Sequence, residues 1–532
     1  MKREMHRRHL FRQLSRAAAA LAWQQLFASP ASAQVEVAPW STSANVFTLG
    51  IASGEPRPDS VVLWTRLAPL PLMADGGMPP RPITIMWEVA HDEQFYRIAR
   101  SGSTVVVPER AHALHLEVEG LAPGRTYFYR FMAAGQTSPI GRTRTAPDLN
   151  ANPPSLRMAL TSCQHYEAGY FTLHREMAEA DLDLVLFVGD YIYDTEMPGL
   201  TRVRQHPHEF PRDQSKYTLE DYRIHHASYK LDPDLRANHA AHPWLLVWDD
   251  HEVMNDYAND TAPDVEDKEA FLKIRAAAYR AYFEHLPVSP KRMPKGPDMP
   301  MRDRYEWGQL AELWTVDTRQ YRGGHVCRGR PIVGNGEALW RCRAAGAESR
   351  TMLGQEQEDW LADTLVASSR DWKFIVQSTQ VSPGGLRTPL GRVYYADGWD
   401  AYPKARERLM SAIGQPRVQN VVCLGGDVHR HVAANLRVDP SDRNSAVVAS
   451  EIVTSSLSSK GLSEFLSTWM RMSNPDLLHL RSDQRGYVVL DVTPQQLVAE
   501  FRGTPHPVMP QSKTQVQARF VIDRGVPGLR RV

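Results

Sequence analysis

The sequence predicts a mixed α/β protein in which a β-sandwich precedes a region of two packed β-sheets flanked by helices. Residues 46–145 alternate apolar and polar side chains without a helical period, and from residue 155 apolar runs alternate with helical stretches. The last part of the chain adds strands with few helices between them, which favours a second sheet packed on the first. The 532 residues also exceed one ordinary core, so two domains are expected.

The first predicted domain spans residues 43–145 and is a sandwich of short strands. The runs SVVLWTRL, ITIMWEVA, HALHLEVEG and TYFYRFMA are strand-like and are separated by Gly, Pro and Asp turns. The segment LAPGRTYFYR is similar to the strand entry of fibronectin-type and Ig-like sandwiches, where a tyrosine packs back across the corner between sheets. Residues 146–154, rich in Pro and Asn, are the predicted linker.

The second predicted domain spans residues 155–525. Its short apolar strands include LRMALTSC, LDLVLFVGD, WLLVWDD, LAELWTVD, KFIVQST and NVVCLGGD. Predicted helices at 217–239 and 354–369 lie between them. Strands that are almost entirely apolar indicate a sheet covered on both faces.

Composition excludes some functions. Hydrophobic residues make up 42% and charged residues 23%, as in ordinary globular proteins. The net charge of +1 does not favour a binder of nucleic acid or anionic membranes that works by bulk electrostatics. The sequence has no apolar run of about 20 residues, so no transmembrane span is predicted.

Residues 1–33 have the pattern of an export signal. A basic start with Arg7 and Arg8 precedes a small, apolar stretch, and Ala31-Ser32-Ala33 fits a cleavage site. The run RRHLF resembles a twin-arginine signal. We therefore expect the chain to be exported already folded by the twin-arginine machinery, to the periplasm, the cell surface or the medium.

The four cysteines have different contexts. Cys327 and Cys342 bracket a loop rich in Gly and Arg, and in an exported protein we expect a disulfide there. Cys423 lies in an apolar strand and is expected in the core. Cys163 remains as an unpaired thiol, which in an oxidising compartment needs a specific role.

Four predicted strands end in side chains that can bind metals. The endings are Ser162-Cys163, Gly189-Asp190 with Tyr193, Asp249-Asp250-His251, and Gly426-Asp427 with His429. In open α/β sheets, ligands collect at the carboxyl ends of the strands, so we expect these side chains to converge at one edge. A single ending of this kind is usually a helix cap or a turn residue, but four of them in chain order indicate a shared site.

The motifs SCQHYEAGYF, VGDYIYD, WDDHEVMNDY and GGDVHRH resemble those of the PhoD-type alkaline phosphatases, which are relatives of the calcineurin-like metallophosphoesterases. The likeness extends over nearly all of the chain after the signal. It implies a metallophosphoesterase-like double β-sheet and a phosphoesterase activity that holds iron(III) with calcium. A small-molecule or polymeric phosphate ester is the implied substrate.

The resemblance also implies the ligands. Cys163 and Tyr193 match the thiolate and phenolate ligands of iron, and Asp190 matches the carboxylate that bridges the metals. Asp250 is expected on the calcium side. The remaining matches are Asp427 and His429 as metal ligands and His251 as the residue at the phosphate and leaving group.

The donor types agree with this assignment independently. Thiolate, phenolate and imidazole suit a transition metal, whereas carboxylates suit a hard cation such as calcium. We therefore expect a mixed-metal centre at which a bridging hydroxide or oxide attacks phosphorus. His251 is expected to protonate the leaving oxygen, the alternative being a role in orienting Asp250.

Several points stay open in the sequence. Arg202, Arg204, Arg223 and Arg430 are all candidates for a phosphate clamp, and Asp256 departs from the Asn of some relatives, which affects either the calcium side or the loop. A phospholipase-D-like phosphodiesterase is a rival activity. A non-catalytic cell-envelope binding protein is a second rival hypothesis. It would require the loss of metal ligands, whereas every motif is complete in this sequence. The oligomeric state is not decided.

Overall fold

The N-terminal region forms eight strands, most of them where alternation predicts them. The computed structural model describes residues 40–327, 331–333 and 336–532, so the predicted signal at 1–33 lies outside the described residues. The eight strands are β1 (Ile51–Gly54), β2 (Ser60–Arg66), β3 (Ile83–Ala90), β4 (Ile98–Val106), β5 (Ala113–Glu119), β6 (Thr126–Ala133), β7 (Gln136–Thr137) and β8 (Gly141–Arg144).

The later region alternates strands and helices and then continues with strands. Its strands are β9 (Leu156–Thr161), β10 (Leu184–Val188), β11 (Pro243–Val247), β12 (Asp303–Trp307), β13 (Ala311–Thr315), β14 (Pro331–Val333), β15 (Gly336–Trp340), β16 (Trp372–Val376), β17 (Leu386–Thr388), β18 (Gly391–Tyr395), β19 (Val421–Gly425), β20 (His431–Arg437), β21 (Val447–Val453), β22 (Leu477–Arg481), β23 (Gln484–Val492), β24 (Gln496–Pro505), β25 (Gln515–Asp523) and β26 (Arg530–Arg531). Its described α-helices are α1 (Thr172–Glu179), α2 (Leu219–Lys230), α3 (Pro233–Ala241), α4 (Lys268–His285), α5 (Gln355–Ala367), α6 (Pro403–Ile413) and α7 (Glu464–Ser473).

The two main sheets share one apolar core. A ten-stranded sheet has the order β26-β25-β24-β23-β9-β10-β11-β1-β2-β5, and a seven-stranded sheet has the order β12-β13-β16-β19-β21-β20-β22. Leu160 and Val188 of the first sheet belong to the same buried cluster as Phe374 and Leu424 of the second. The predicted fold class, two packed sheets flanked by helices after a β-rich N-terminal part, is confirmed.

The N-terminal strands divide between two sheets. β3, β4, β6, β7 and β8 form a sheet of their own, whereas β1, β2 and β5 extend the ten-stranded sheet. β1 runs parallel to β11, with Ser53 opposite Pro243. Because this pairing makes one continuous sheet, residues 41–532 form a single compact unit. The domain limits 43–145 and 155–525 stay a prediction.

The stretch predicted as one helix at 217–239 is two helices. α2 ends at Lys230, and α3 begins at Pro233 after a break of two residues. Asp232 accepts hydrogen bonds from the backbone N–H groups of Asp234 and Leu235, and Pro233 occupies the first helical turn. An N-cap residue followed by Pro favours the start of a new helix. The apolar pattern continues across this helix boundary and so does not show it.

Two local predictions concern single contacts. The Tyr127 hydroxyl lies 2.8 Å from the Ala122 backbone nitrogen, which donates to it across the corner before β6. Cys327 and Cys342 are joined in a disulfide, and Cys423 is fully buried in β19.

Among the helices described, none combines the length and apolar character that a membrane crossing requires.

A buried ion pair also connects the N-terminal strands to the later region, and it gives a stability test. The Arg292 Nε lies 2.6 Å from Glu55 Oε1, and its Nη2 donates to the Tyr305 hydroxyl at 2.6 Å. We expect Arg292→Ala to lower the free energy of unfolding by about 3–5 kcal/mol, because it leaves the Glu55 carboxylate buried without its partner. Urea titration measures the change.

Arg302→Ala is the matched control. Arg302 pairs with Glu356 at the surface, where that carboxylate is 85% exposed, so the expected loss is at most about 1 kcal/mol. Equal losses in the two variants would contradict the importance of the buried pair.

Candidate metal centre

The predicted ligands come from strand ends in both sheets, not from one edge of one sheet. Cys163, Asp190 and Asp250 follow β9, β10 and β11, which are adjacent parallel strands of the ten-stranded sheet. Asp427 and His429 follow β19 of the seven-stranded sheet. A parallel β-bridge between Ser162 and Ser456 joins the two sheets beside these ends. The single-edge expectation is therefore corrected, since two facing sheets supply the side chains.

One group unites a thiol, a carboxylate and an imidazole. Donor atoms of Cys163, Asp190 and His429 all lie within 4.8 Å of one another. The Tyr193 hydroxyl donates to Asp190 Oδ2 at 2.8 Å and lies 3.0 Å from His429 Nε2. Four of the six predicted ligands therefore meet at one point.

A second group lies beside the first and shares a residue with it. Donor atoms of Asp190, Asp250 and His251 also lie within 4.8 Å of one another. The Asp190 Oδ1 atom is buried and has no hydrogen-bond partner among the described residues. A buried carboxylate oxygen without a partner is costly, so this atom fits a position that a cation would satisfy.

Asp427 stands apart from these groups. Its Oδ2 accepts a hydrogen bond from Thr379 Oγ1 at 2.5 Å, and within the described part of the chain it belongs to none of the close donor groups. It is nevertheless one of the charges that raise the pKa of the Cys163 thiol. Its role as a ligand stays a prediction.

The backbone at the ligands is strained. Cys163, Asp190, Asp427 and His429 have φ angles of 58°, 60°, 62° and 49°, in the left-handed region that side chains other than Gly seldom adopt. Such conformations cost on the order of 1–3 kcal/mol each and persist where the surrounding structure imposes them. Their concentration after β9, β10 and β19 marks these three strand ends as a functional site.

Close packing of the strand ends demands two glycines. A Cβ on Gly189 would lie 2.5 Å from the Asp249 Cβ, and one on Gly426 would lie 2.5 Å from Ser162 Oγ. Gly189 also has a φ of 96°. The glycines of the Gly-Asp pairs in the sequence motifs therefore allow the neighbouring ligand segments to pack closely.

Burial sets the protonation of the thiol and phenol in the metal-free site. It raises the pKa of Cys163 well above the ordinary range, and the Asp190 carboxylate raises it further. Burial and Asp190 likewise raise the pKa of Tyr193. A metal ion reverses this by stabilising the thiolate and phenolate directly. The two groups are therefore neutral donors until a cation is present.

His429 presents one ring nitrogen to the site. Its Nδ1 lies 2.8 Å from the Lys460 carbonyl oxygen, to which it donates, so Nε2 carries the lone pair. Burial, with the nearby Arg485, lowers the pKa of His429 to about 3. A neutral imidazole held in one tautomer is the form that binds metals.

His251 is held by a carboxylate that the sequence did not single out. The His251 Nδ1 lies 2.5 Å from Asp194 Oδ1, and Asp194 is almost fully buried. Burial lowers the pKa of His251, but Asp250, Asp190 and Asp194 together raise it well above its usual value. Asp194 is the last residue of the VGDYIYD motif, and its place in that motif was the available signal.

Arg319 is the principal residue that sequence reasoning missed. It is fully buried, and its guanidinium lies 2.5 Å from Asp249, 2.7 Å from Asp397 and 3.3 Å from Asp250. Arg319 follows the end of β13 in the same way that the ligands follow their strands. A single arginine after a strand is common on surfaces, so the sequence alone could not select it.

A third group of carboxylates surrounds this arginine. Donor atoms of Asp250, Asp256 and Asp397 lie within 4.8 Å of one another. Asp397 also pairs with Arg322, while Asp256 accepts a hydrogen bond from the Tyr395 hydroxyl at 3.1 Å. Asp256 therefore adjoins Asp250, on the side where calcium is predicted.

The other sequence candidates have structural partners. Arg202, Arg204 and Arg223 form ion pairs with Glu167, Asp232 and Glu284 at 3.0, 2.8 and 2.6 Å. Arg430 alone of the four is buried, and it donates to Gln380 Oε1 at 2.8 Å. Burial lowers the pKa of Arg430 to about 10, against the opposite effect of the Asp427 carboxylate.

Glu252 ties the ligand segments together. Its carboxylate accepts backbone N–H groups of Tyr191 at 2.7 Å, Asp249 at 2.9 Å and Asp190 at 3.2 Å. It is fully buried, and burial raises its pKa to about 7. One side chain thus fixes the segments after β10 and β11 relative to each other.

These three hydrogen bonds, here called the Glu252 clamp, give a test of stability. Glu252→Gln keeps the size of the side chain but turns one acceptor oxygen into a donor that faces N–H groups. We expect the free energy of unfolding to fall by about 1–3 kcal/mol, measured by urea titration at pH 8.5, where the wild-type carboxylate is ionised. Glu266→Gln, at an exposed position, is the control and should change it by less than about 0.5 kcal/mol. No difference between the variants would contradict the clamp.

Comparisons with known proteins agree with the fold and show the family of the chain. The family described as PhoD-like phosphatase matches residues 158–501, and its N-terminal domain matches residues 31–147. Alkaline phosphatase D of Bacillus subtilis (strain 168) is 41% identical over 505 residues, which cover 94% of this chain and 84% of that protein. A solved structure described as "Structure of PhoD" has a TM-score of 0.87 at 40% identity and covers 92% of this chain and 93% of that chain. The chain therefore belongs to the PhoD-like phosphatase family and is a phosphoester-hydrolysing enzyme of the alkaline phosphatase type.

Proposed function

We propose that the enzyme hydrolyses phosphate esters at a mixed-metal centre in which Asp190 is shared between two cation positions. The observation that carries this proposal is the overlap of two donor groups at Asp190, whose Oδ1 is buried without a partner. The first position has Cys163, Tyr193 and His429. The second has Asp250, with Asp427 as a further ligand.

The donors distinguish the two positions by their chemistry. Thiolate, phenolate and imidazole favour iron(III) at the first position, and an environment of carboxylates favours calcium at the second. Bound cations supply an activated water nucleophile and neutralise charge on the phosphate oxygens.

His251 and Asp194 handle the leaving group. The Asp194 carboxylate accepts the Nδ1–H of His251, which fixes the ring and keeps the proton of Nε2 free to move. We propose that Nε2 donates this proton to the leaving oxygen as the P–O bond breaks. The ring lies 4.1 Å from that of Tyr193, centroid to centroid, so its position is tied to the first metal site.

We also propose that the protein is exported through the twin-arginine route and works outside the cytoplasm. The signal-like residues 1–33 support this, and so does the Cys327–Cys342 disulfide, because disulfides persist in oxidising compartments. A folded export route also suits an enzyme that acquires its metals before transport.

The two buried free cysteines allow a matched test of the centre. We expect Cys163→Ser to lower both the affinity for iron and kcat/KM by at least about 100-fold, the upper end of what loss of a supporting contact costs a metal site. The visible charge-transfer band of iron(III) should disappear with the iron. Elemental analysis, absorption spectra and hydrolysis of p-nitrophenyl phosphate provide the measurements.

Cys423→Ser is the control, since Cys423 is equally buried but lies in β19 outside the donor groups. It should keep the iron, the band and the activity. An iron-free, colourless wild-type enzyme that remains active would refute the iron assignment and leave the phosphoesterase activity standing.

The role of His251 can be tested by comparing the hydrolysis of esters that have different leaving groups. We expect His251→Gln to slow hydrolysis of an alkyl phosphate by about 10²–10⁴-fold, because an alkoxide needs protonation to leave. Hydrolysis of p-nitrophenyl phosphate should slow much less, because p-nitrophenolate is a stable anion. The kcat values of both esters, measured with metal content, give the comparison.

Asp194→Asn should show the same dependence on the leaving group with a smaller loss, of about 10–100-fold. Asp213→Asn, in an exposed turn of the following loop, is the control. Equal slowing of both esters by His251→Gln would argue that His251 supports the metals and does not protonate the leaving group.

A further inference from the structure

A surface cleft lies on the seven-stranded side of the molecule. It is bounded by β17, β18, α6, β20 and the segment that follows α7. Within the described residues, its lining includes none of the predicted metal ligands. We call it the arginine cleft, defined by Arg387, Arg392, Arg406, Arg437, Ser473 and Asn474.

Two of the four arginines are neutralised. The Arg406 Nη1 lies 2.7 Å from Asp400 Oδ1, and the Arg437 Nε lies 3.0 Å from Asp476. Both pairs are largely buried, so they hold the walls of the cleft in place. Their positive charge is already matched by a carboxylate each.

The other two arginines have no such match. Among the residues the structure describes, no carboxylate lies within ion-pair distance of Arg387 or Arg392. Arg392 donates to the amide oxygen of Asn474, a neutral acceptor. The Asn474 amide nitrogen donates to the carbonyls of Gly385 and Met470 at 2.8 and 2.7 Å, which turns its oxygen toward Arg392.

The guanidinium of Arg392 is crowded by like charge. Burial lowers the pKa of Arg392, and the neighbouring Arg406 and Arg387 lower it further against the opposite effect of Asp400. Gly385 makes room for this group, because a Cβ there would lie 2.7 Å from Arg392 Nε. Arg392 is partly buried and Arg387 is exposed, and neighbouring cations that repel one another are stabilised when an anion binds between them.

The cleft is close to the metal centre but separated from it. Arg430, the neighbour of His429, donates to Gln380, and the Gln380 amide nitrogen donates to the Ser382 carbonyl at 3.0 Å. Ser382 lines the cleft. One short chain of hydrogen bonds thus connects the ligand loop to the cleft wall.

We propose that the arginine cleft is a second phosphate-binding site. A tetrahedral anion offers several oxygens to two guanidinium groups that have no ion-pair partner among the described residues, and the planar fork of Arg suits phosphate in particular. Two sources have this chemistry: free inorganic phosphate, and an additional phosphate of a longer substrate. The second source rests on the proposed function, whereas binding of free phosphate does not.

Equilibrium dialysis of the metal-loaded enzyme with ³²P-labelled inorganic phosphate tests the site without relying on catalysis. The double variant Arg387→Gln with Arg392→Gln should lose one class of bound phosphate or bind it at least about tenfold more weakly, because two charged hydrogen-bond donors are gone. Arg110→Gln with Arg125→Gln, two exposed arginines far along the chain from the cleft residues, is the control and should bind as the wild type does. Equal stoichiometry and affinity in wild type and cleft variant would overturn the proposal.

Kinetics distinguish the two sources. If the cleft holds a further phosphate of the substrate, the cleft variant should lose about tenfold in kcat/KM on 5′-phosphorylated hexathymidylate and little on thymidine 5′-monophosphate. If it holds free phosphate, both substrates should react as in the wild type while the dialysis still shows the loss. A similar fall on both substrates with unchanged phosphate binding would mean that the arginines only support the fold, and it would refute the site.

Discussion

The buried carboxylate of Asp190 is the constraint on which the rest of the centre depends. It lies at the point where two donor groups overlap, and one of its oxygens has no partner among the described residues. Burial raises its pKa well above the ordinary value, against the effect of His251. An ionised carboxylate at this position requires positive charge nearby, and the side chains around it supply ligands for a cation in place of a guanidinium.

The buried aspartates near the site have different charge partners. Asp249, Asp250 and Asp397 share the buried Arg319, so the carboxylates behind the site are held by a fixed protein charge. Asp190 has the hydroxyl of Tyr193 and the imidazoles of His251 and His429 around it, none of which is a permanent cation. The difference separates Asp249 and Asp397, which a protein cation holds, from Asp190, which a metal ion would satisfy. Asp250 belongs to both environments, because it pairs with Arg319 and also lies in a donor group with Asp190.

The same physical distinction applies to the arginines. Most of those considered for phosphate, such as Arg204 and Arg223, are matched by buried carboxylates and stabilise the fold. Arg387 and Arg392 differ because no carboxylate of the described residues lies within ion-pair distance of either, and Arg392 donates to an amide oxygen instead. Charge without an internal partner, at the wall of a cleft, is the feature that carries the inference of a phosphate site there.

The sequence by itself determined the fold class, the family and the strand-end motifs. Apolar strands that end in Gly-Asp or Ser-Cys carry their information locally, because a buried strand and the turn after it are defined by consecutive residues. The disulfide could be anticipated for a similar reason, as two cysteines bracketed one loop. The break at Pro233 was missed because apolar periodicity continued across it.

Only the tertiary structure decided which distant residues meet. It brought ligands from two sheets together, assigned Asp194 to His251, and buried Arg319 among three aspartates far from it in sequence. It also joined β1 to β11, so that the N-terminal strands extend the sheet that holds Asp190 and Asp250. These outcomes depend on long-range pairing and on the balance of buried charge, and neither is encoded in the local pattern of a segment.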